Sequence, residues 1–142
     1  MIVLLLMLQT PVDGVSQELQ KLNGTWQVVQ LDIDGKDLSE RLKGYRYVFE
    51  GQWIKLQDRD GKPVPRSDNK HDERPFIINI NTNPKSIDMT ISVKSKNYSS
   101  LGIYELKDNQ LRMCFSEPGS SRPQEFQVKP GVTLITLQRL LK

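Results

Sequence analysis

The chain is poor in the residue types that build most reactive sites. Among its 142 residues there is one cysteine and one histidine. A lone thiol, Cys114, cannot close an internal disulfide; it neither demands a reducing compartment nor forbids export. Cys114 and His71, far apart in sequence, do not make a zinc set. The acidic pairs in Asp32-Ile33-Asp34 and Asp58-Arg59-Asp60 lack the length and spacing of an EF-hand loop. No metal site is indicated and no cofactor is implied. No phosphate-cradling glycine loop opens a helix, and there is no nucleophile-elbow motif. Long apolar runs are missing too. The one at 2–8 is far short of the roughly 20 residues that a spanning helix needs, so no transmembrane segment is expected. Charge is mild and scattered: 20 Lys and Arg against 17 Asp and Glu leave a formal +3. A nucleic-acid partner would call for a concentrated basic stripe, so none is expected.

What is present is an ordinary globular mixture, 37% hydrophobic and 26% charged, sized for one domain with a modest core. Residues 1–14 read as a truncated signal peptide or as a flexible arm that packs on the fold. Residues 15–142 read as the domain. With a full export signal upstream the product is expected in the periplasm, the envelope or the medium, and otherwise in the cytoplasm. Ser16 is placed to cap a short helix with Leu19 and Leu22 on one face, ended by Asn23-Gly24.

Strands follow. Residues 25–33 carry Trp26, Val28, Val29, Leu31 and Ile33 with a broken alternation, which points to a bulge near Val29-Gln30. Asp34-Gly35 turns the chain, and 37–43 reads as one helical turn over a barrel mouth. Tyr45, Tyr47 and Phe49 alternate with Arg46 and Val48, and 53–58 returns as a hairpin partner. Residues 66–74 read as a mobile loop carrying His71. Phe76, Ile78 and Ile80 share one face of the next strand. Ile87, Met89, Ile91 and Val93 make the cleanest half-buried alternation. Residues 94–99 read as a polar connection. A hairpin is expected over 101–106 and 110–116, then a Gly/Pro/Ser tip at 117–123, a short strand at 125–128 and a last strand at 132–140. This is an all-β chain of about eight short antiparallel strands with one short N-terminal helix. Such a meander favours an up-and-down barrel, which removes exposed edges; a two-sheet sandwich is the alternative.

A barrel must join its first and last strands. Trp26 lies near the start of one and Arg139 near the end of the other, and a guanidinium can cover an indole face while donating to carbonyls. Gly24-Thr25-Trp26 resembles the glycine-x-tryptophan signature of the lipocalins, in which a late arginine packs on that tryptophan. Gly24, Trp26 and Arg139 are therefore expected to lock the barrel. A closer resemblance runs from Leu22 onward. The segments Leu22-Asn23-Gly24-Thr25-Trp26, Asp34-Gly35-Lys36, Val48-Phe49-Glu50-Gly51, Pro84-Lys85-Ser86-Ile87-Asp88, Leu101-Gly102-Ile103-Tyr104-Glu105-Leu106, Leu111-Arg112-Met113-Cys114-Phe115, Glu117-Pro118-Gly119 and Arg122-Pro123-Gln124-Glu125-Phe126 resemble the lipocalin-like domain of uncharacterised planctomycete bacterial proteins. The resemblance implies a calycin-like barrel and a bacterial envelope context, and no particular activity.

Three functions are weighed. The first is a small hydrophobic or amphipathic ligand, or a lipid, held inside the barrel. Its lining would come from Trp53, Phe76, Ile78, Met89, Ile91, Tyr104, Met113 and Phe115, with Tyr45 and Tyr47 as polar handles; the plain alternative is that these residues are core. The second is an interaction or structural module using the tips at 57–62 and 116–122. The third is weak esterase-type hydrolysis with His71, Asp68 or Asp72, and Ser67, although residues crowded into one loop lack a held nucleophile–base–orienter geometry. Cys114, between Met113 and Phe115, reads as a small buried residue.

Overall fold

The computed structural model describes residues 14–66 and 68–141. A helix, α1 (Gly14–Leu22), leads into β1 (Gly24–Ile33). The short β2 (Lys36–Asp37) and a single helical turn, α2 (Ser39–Leu42), come next. The remaining strands are β3 (Arg46–Glu50), β4 (Trp53–Gln57), β5 (Glu73–Asn79), β6 (Lys85–Val93), β7 (Lys96–Lys107), β8 (Gln110–Ser116) and β9 (Val132–Arg139). Strands β3 to β9 pair in sequence order, and β9 returns to β1. All pairings are antiparallel. Eight strands thus close into one up-and-down barrel, with β2 extending only the far end of β1. Closure leaves no long free edge to template aggregation.

β1 makes closure possible because it is long and bulged. Its first half pairs with β3, and from Trp26 on it also pairs with β9. The register slips between Val28 and Gln30. Without that slip the two-residue period would turn Leu31 outward. With it, Trp26, Val28 and Leu31 are all buried. At Asp34-Gly35 both residues have positive φ (55° and 80°), the geometry of a tight primed turn between β1 and β2.

The inward residues of every barrel strand meet in one core. Phe49 and Phe76 meet edge to face at its centre, with ring centroids 5.4 Å apart. α1 plugs one end, burying Glu18 and Leu22. α2 covers the other end, packing Leu42 on the core.

Several expectations are corrected. α1 begins at Gly14, so Ser16 lies inside the helix rather than capping it. The proposed arm at 1–14 falls outside the described residues except for Gly14. Residues 96–99 continue β7, because Ile91 to Val93 pair with 96–98 by backbone bonds that need no apolar side chains. The loop expected at 66–74 is tied down where it is described: Pro65 bridges His71, the Leu56 N–H donates to the Asp72 carbonyl, and Glu73 and Arg74 already belong to β5. Residues 125–128 form no strand, since β8 and β9 pair directly with one another. The intervening segment, 117–131, folds back on the outer wall. There Phe126 joins Ile103, Cys114, Val132 and Leu134 in a second, smaller cluster. Arg122 pins the segment by donating to Asp88 and, at 2.8 Å, to the Gly102 carbonyl.

Candidate functional site

The barrel interior is the natural place to look for a ligand, and its inward side chains largely fill it. Phe76, Met89, Tyr104, Met113 and Phe115, expected as a lining, are each 4% exposed or less and pack on one another as core. Tyr47 is buried with them. Tyr45, Ile78 and Ile91 are half-buried against the same cluster. Gly102 makes part of this packing possible, a role not read from the sequence. A Cβ there would lie 2.6 Å from the Phe115 ring and 2.8 Å from the Cys114 carbonyl oxygen. Trp53 is a correction. On β4 it is Ile54 that turns inward, and Trp53 stands on the outer wall, 46% exposed.

An apolar cavity lies under α2. It measures ≈ 60 Å³ and is bounded by Val28, Leu31, Leu42, Tyr45, Tyr47 and Leu56 with the stems of Arg46 and Gln57. That is about two waters' share of liquid volume, well below the roughly 300 Å³ at which drug-sized sites begin. Beside it lies an inward-facing charged pair. Arg74 precedes the buried Phe76 by two residues and so shares its face. Its Nε and Nη2 donate to the two Asp72 carboxylate oxygens at 2.9 and 3.0 Å, and its Nη1 reaches the Met89 sulfur at 3.8 Å. Burial opposes the Arg74 charge, but the Asp72 carboxylate outweighs it and holds the guanidinium firmly protonated. Burial also pushes the neighbouring Tyr47 phenol up. The alternation of β5 through Phe76 and Ile78 extends back to Arg74, within the stretch whose polar composition reads as a loop.

The opposite end is closed by polar contacts. Arg139 lies over Trp26 with its guanidinium carbon 4.2 Å from the ring centroid. It donates from Nη1 to the Asn23 carbonyl at 2.9 Å and from Nη2 to the Lys21 carbonyl at 2.6 Å. The Trp26 indole N–H donates to the Leu22 carbonyl at 2.9 Å. These bonds satisfy carbonyls at the C-terminal end of α1 that have no helical partner. Gly24 has φ 130°, and a Cβ there would come within 3.0 Å of Arg139 Nη1, so both backbone and approach favour glycine. Nearby, Glu18 accepts from Tyr104 Oη at 2.7 Å and from Lys85 Nζ at 2.8 Å. Burial alone raises the Glu18 pKa, but these bonds and the positive charges of Lys85 and Lys21 outweigh it and hold the carboxyl below its usual range. Burial, followed by donation to Glu18, pushes the Tyr104 phenol far up. Tyr104 therefore serves this plug, and its hydroxyl is committed.

The hydrolytic arrangement is not assembled among the described residues. His71 is exposed. The carboxylates offered to it are engaged elsewhere, Asp68 with Arg66 and Asp72 with Arg74. Ser67 lies outside the described residues. Cys114 is fully buried, and burial raises its thiol pKa. Among the described residues no group of three acidic, histidine or cysteine side chains is placed to hold a metal, and no helix is long and apolar enough to cross a membrane.

Comparisons with protein-family models, with curated proteins and with solved structures each return no match. The architecture itself, a closed eight-stranded antiparallel barrel with a short N-terminal helix, is consistent with a calycin or lipocalin-like fold.

Proposed function

We propose that the chain is a lipocalin-like binding barrel, spanning 15–142 and akin to the planctomycete domains its motifs resemble. In this reading it takes up a small hydrophobic or amphipathic molecule without transforming it. The observation that supports this reading is the apolar cavity under α2, with the Tyr45 and Tyr47 rings and the Arg74–Asp72 pair beside it. At ≈ 60 Å³ it admits only a small apolar group as it stands. A larger ligand requires α2 to shift. α2 is four residues long; at its start the Asp37 carboxylate accepts from the Ser39 N–H at 2.9 Å, and the Ser39 hydroxyl accepts from the Leu31 N–H of β1 at 3.0 Å. From outside, Arg59 holds it by donating to the Arg41 and Lys43 carbonyls. Displacing it exposes Leu42, at a cost of about 2 kcal/mol, and also breaks the bonds from Arg59 and to Ser39, so a ligand must recover both terms.

A second reading, an interaction or structural module, draws support from the filled interior. Native mass spectrometry of the purified protein, with titration of short- and medium-chain amphiphiles, separates the two. Ligand binding that weakens when Leu56→Trp fills the cavity supports uptake at the mouth. A protein that retains nothing and binds no amphiphile, with Leu56→Trp still folded, leaves the barrel as a packed module.

A further inference from the structure

We propose that the outer wall carries a separate site, centred on Trp53, that takes a neutral saccharide ring against the exposed indole. The site is a consequence of how the wall is paired. The β5–β6 ladder runs from Asn79↔Ser86 to Phe76↔Met89. The next rung would join Pro75 to Thr90, and proline has no N–H to donate. From Thr90 onward β6 pairs with β7 alone. Where the ladder stops, the wall opens into an outward groove of ≈ 340 Å³ beside Trp53, within the range of small-molecule sites.

The lining selects the ligand. Its apolar members are Trp53, Pro75, Phe76 and Ile77, the last 60% exposed. The lining also offers an amide, from Gln52 next to Trp53, and two hydroxyls, from Thr90 and Ser99. The one charged group in the lining, Asp88, is already neutralised by Arg122. A hydrocarbon chain would bury those polar groups without partners, and an ionic head would find no counter-charge. The complement is a neutral molecule with an apolar face and a rim of hydroxyls, as in a pyranose ring. Such a ring lays its C–H face on an aromatic surface and exchanges hydrogen bonds at its edge. A second groove of ≈ 440 Å³ shares Trp53; it is the charged neighbour of the first, lined also by Arg66, Asn69, Lys70, His71 and Glu73, and the saccharide ring lies in the first groove. A globular partner would need on the order of 800 Å² of matched surface, far more than a ring-sized groove presents.

The two tryptophans make the test direct. Trp26 is 0% exposed and Trp53 is 46% exposed, so a ligand-induced change in emission reports on Trp53. The full chain is titrated with neutral cello-, manno-, xylo-, malto- and N-acetylchito-oligosaccharides. At least one is expected to shift the emission saturably. By calorimetry, Trp53→Ala is expected to weaken that ligand about tenfold or more, with Trp53→Phe falling between. Thermal unfolding checks that both variants fold. The proposal is overturned if none of the panel changes the emission at concentrations on the order of millimolar, or if the ligand binds wild type and Trp53→Ala equally. Trp53 lies on the outside and the α2 cavity on the inside, so either site can fail without the other.

Discussion

The guanidinium of Arg139 lies 4.2 Å from the centre of the Trp26 ring, across the β1–β9 pair that closes the barrel. One side chain thus covers the indole, bonds two carbonyls at the end of α1, and joins the last strand to the first. Arg139→Ala is expected to lower stability by about 2 kcal/mol in urea unfolding, from the cation–π contact and the charge-assisted bonds together. Arg139→Lys keeps the charge but loses the planar fork, so it should recover less than half of that. A change within about 0.5 kcal/mol for Arg139→Ala would mean the contact contributes nothing net to closure.

Gly102 and Gly24 are expected to respond differently to alanine. At Gly102 the new methyl meets an aromatic ring and a backbone oxygen in the packed interior, and neither can retreat. Overpacking of that kind costs about 3 kcal/mol. At Gly24 the close neighbour is the end of a flexible arginine, so the cost comes mainly from φ and should be about 1–2 kcal/mol. Denaturant midpoints of the two variants measure the order. The reverse order would show that the Phe115 ring can move aside.

Glu18 should make the plug acid-sensitive. Its folded pKa lies below its unfolded value, so its contribution is fully present above the ordinary carboxylate range. It is lost as pH falls through the folded value. Glu18→Gln keeps an acceptor for Tyr104 but removes the charge facing Lys85. The variant should be less stable than wild type by about 2 kcal/mol near neutrality, and the gap should close below about pH 4. Unfolding curves across that range test this. A gap that is constant with pH would mean that the carboxylate charge plays no part.

Cys114 offers a probe of the outer segment. The thiol is 0% exposed and packs in the cluster that includes Phe126. Burial raises its pKa, which slows thiolate chemistry further. Native labelling with a thiol reagent should be slow. Arg122→Ala removes the pin to Asp88 and Gly102 and should speed labelling about tenfold, the effect of about 1.4 kcal/mol on local opening, with little change in global stability. Unchanged labelling would show that the cluster holds 117–131 without the arginine.

The alternations through Tyr47 and Phe49 and through Ile87 and Met89 are visible in sequence because each such strand has one buried face. The bulge in β1 is visible for the same reason, as a break in that period. Harder to see were strands whose environment departs from the one-face rule. β8 is buried from Met113 to Ser116 on both faces because 117–131 covers its outside. Phe126 and Val128, in that cover, look like a strand and form none. In β4, Trp53 and Ile54 are both apolar, and local pattern cannot say which one turns inward.

The sequence alone determined the all-β class, the run of hairpins and the pairing of Trp26 with Arg139 as the residues near the two closing ends. These follow from periodicity, turn residues and the need of a meander to join its ends. Tertiary structure alone decided that the interior is filled, that Arg74 and Asp72 face it, that Trp53 lies outside, and that the wall opens where Pro75 would meet Thr90. Each of these depends on which distant side chains meet across the barrel. Register and packing set that, and the local period of a strand does not carry it.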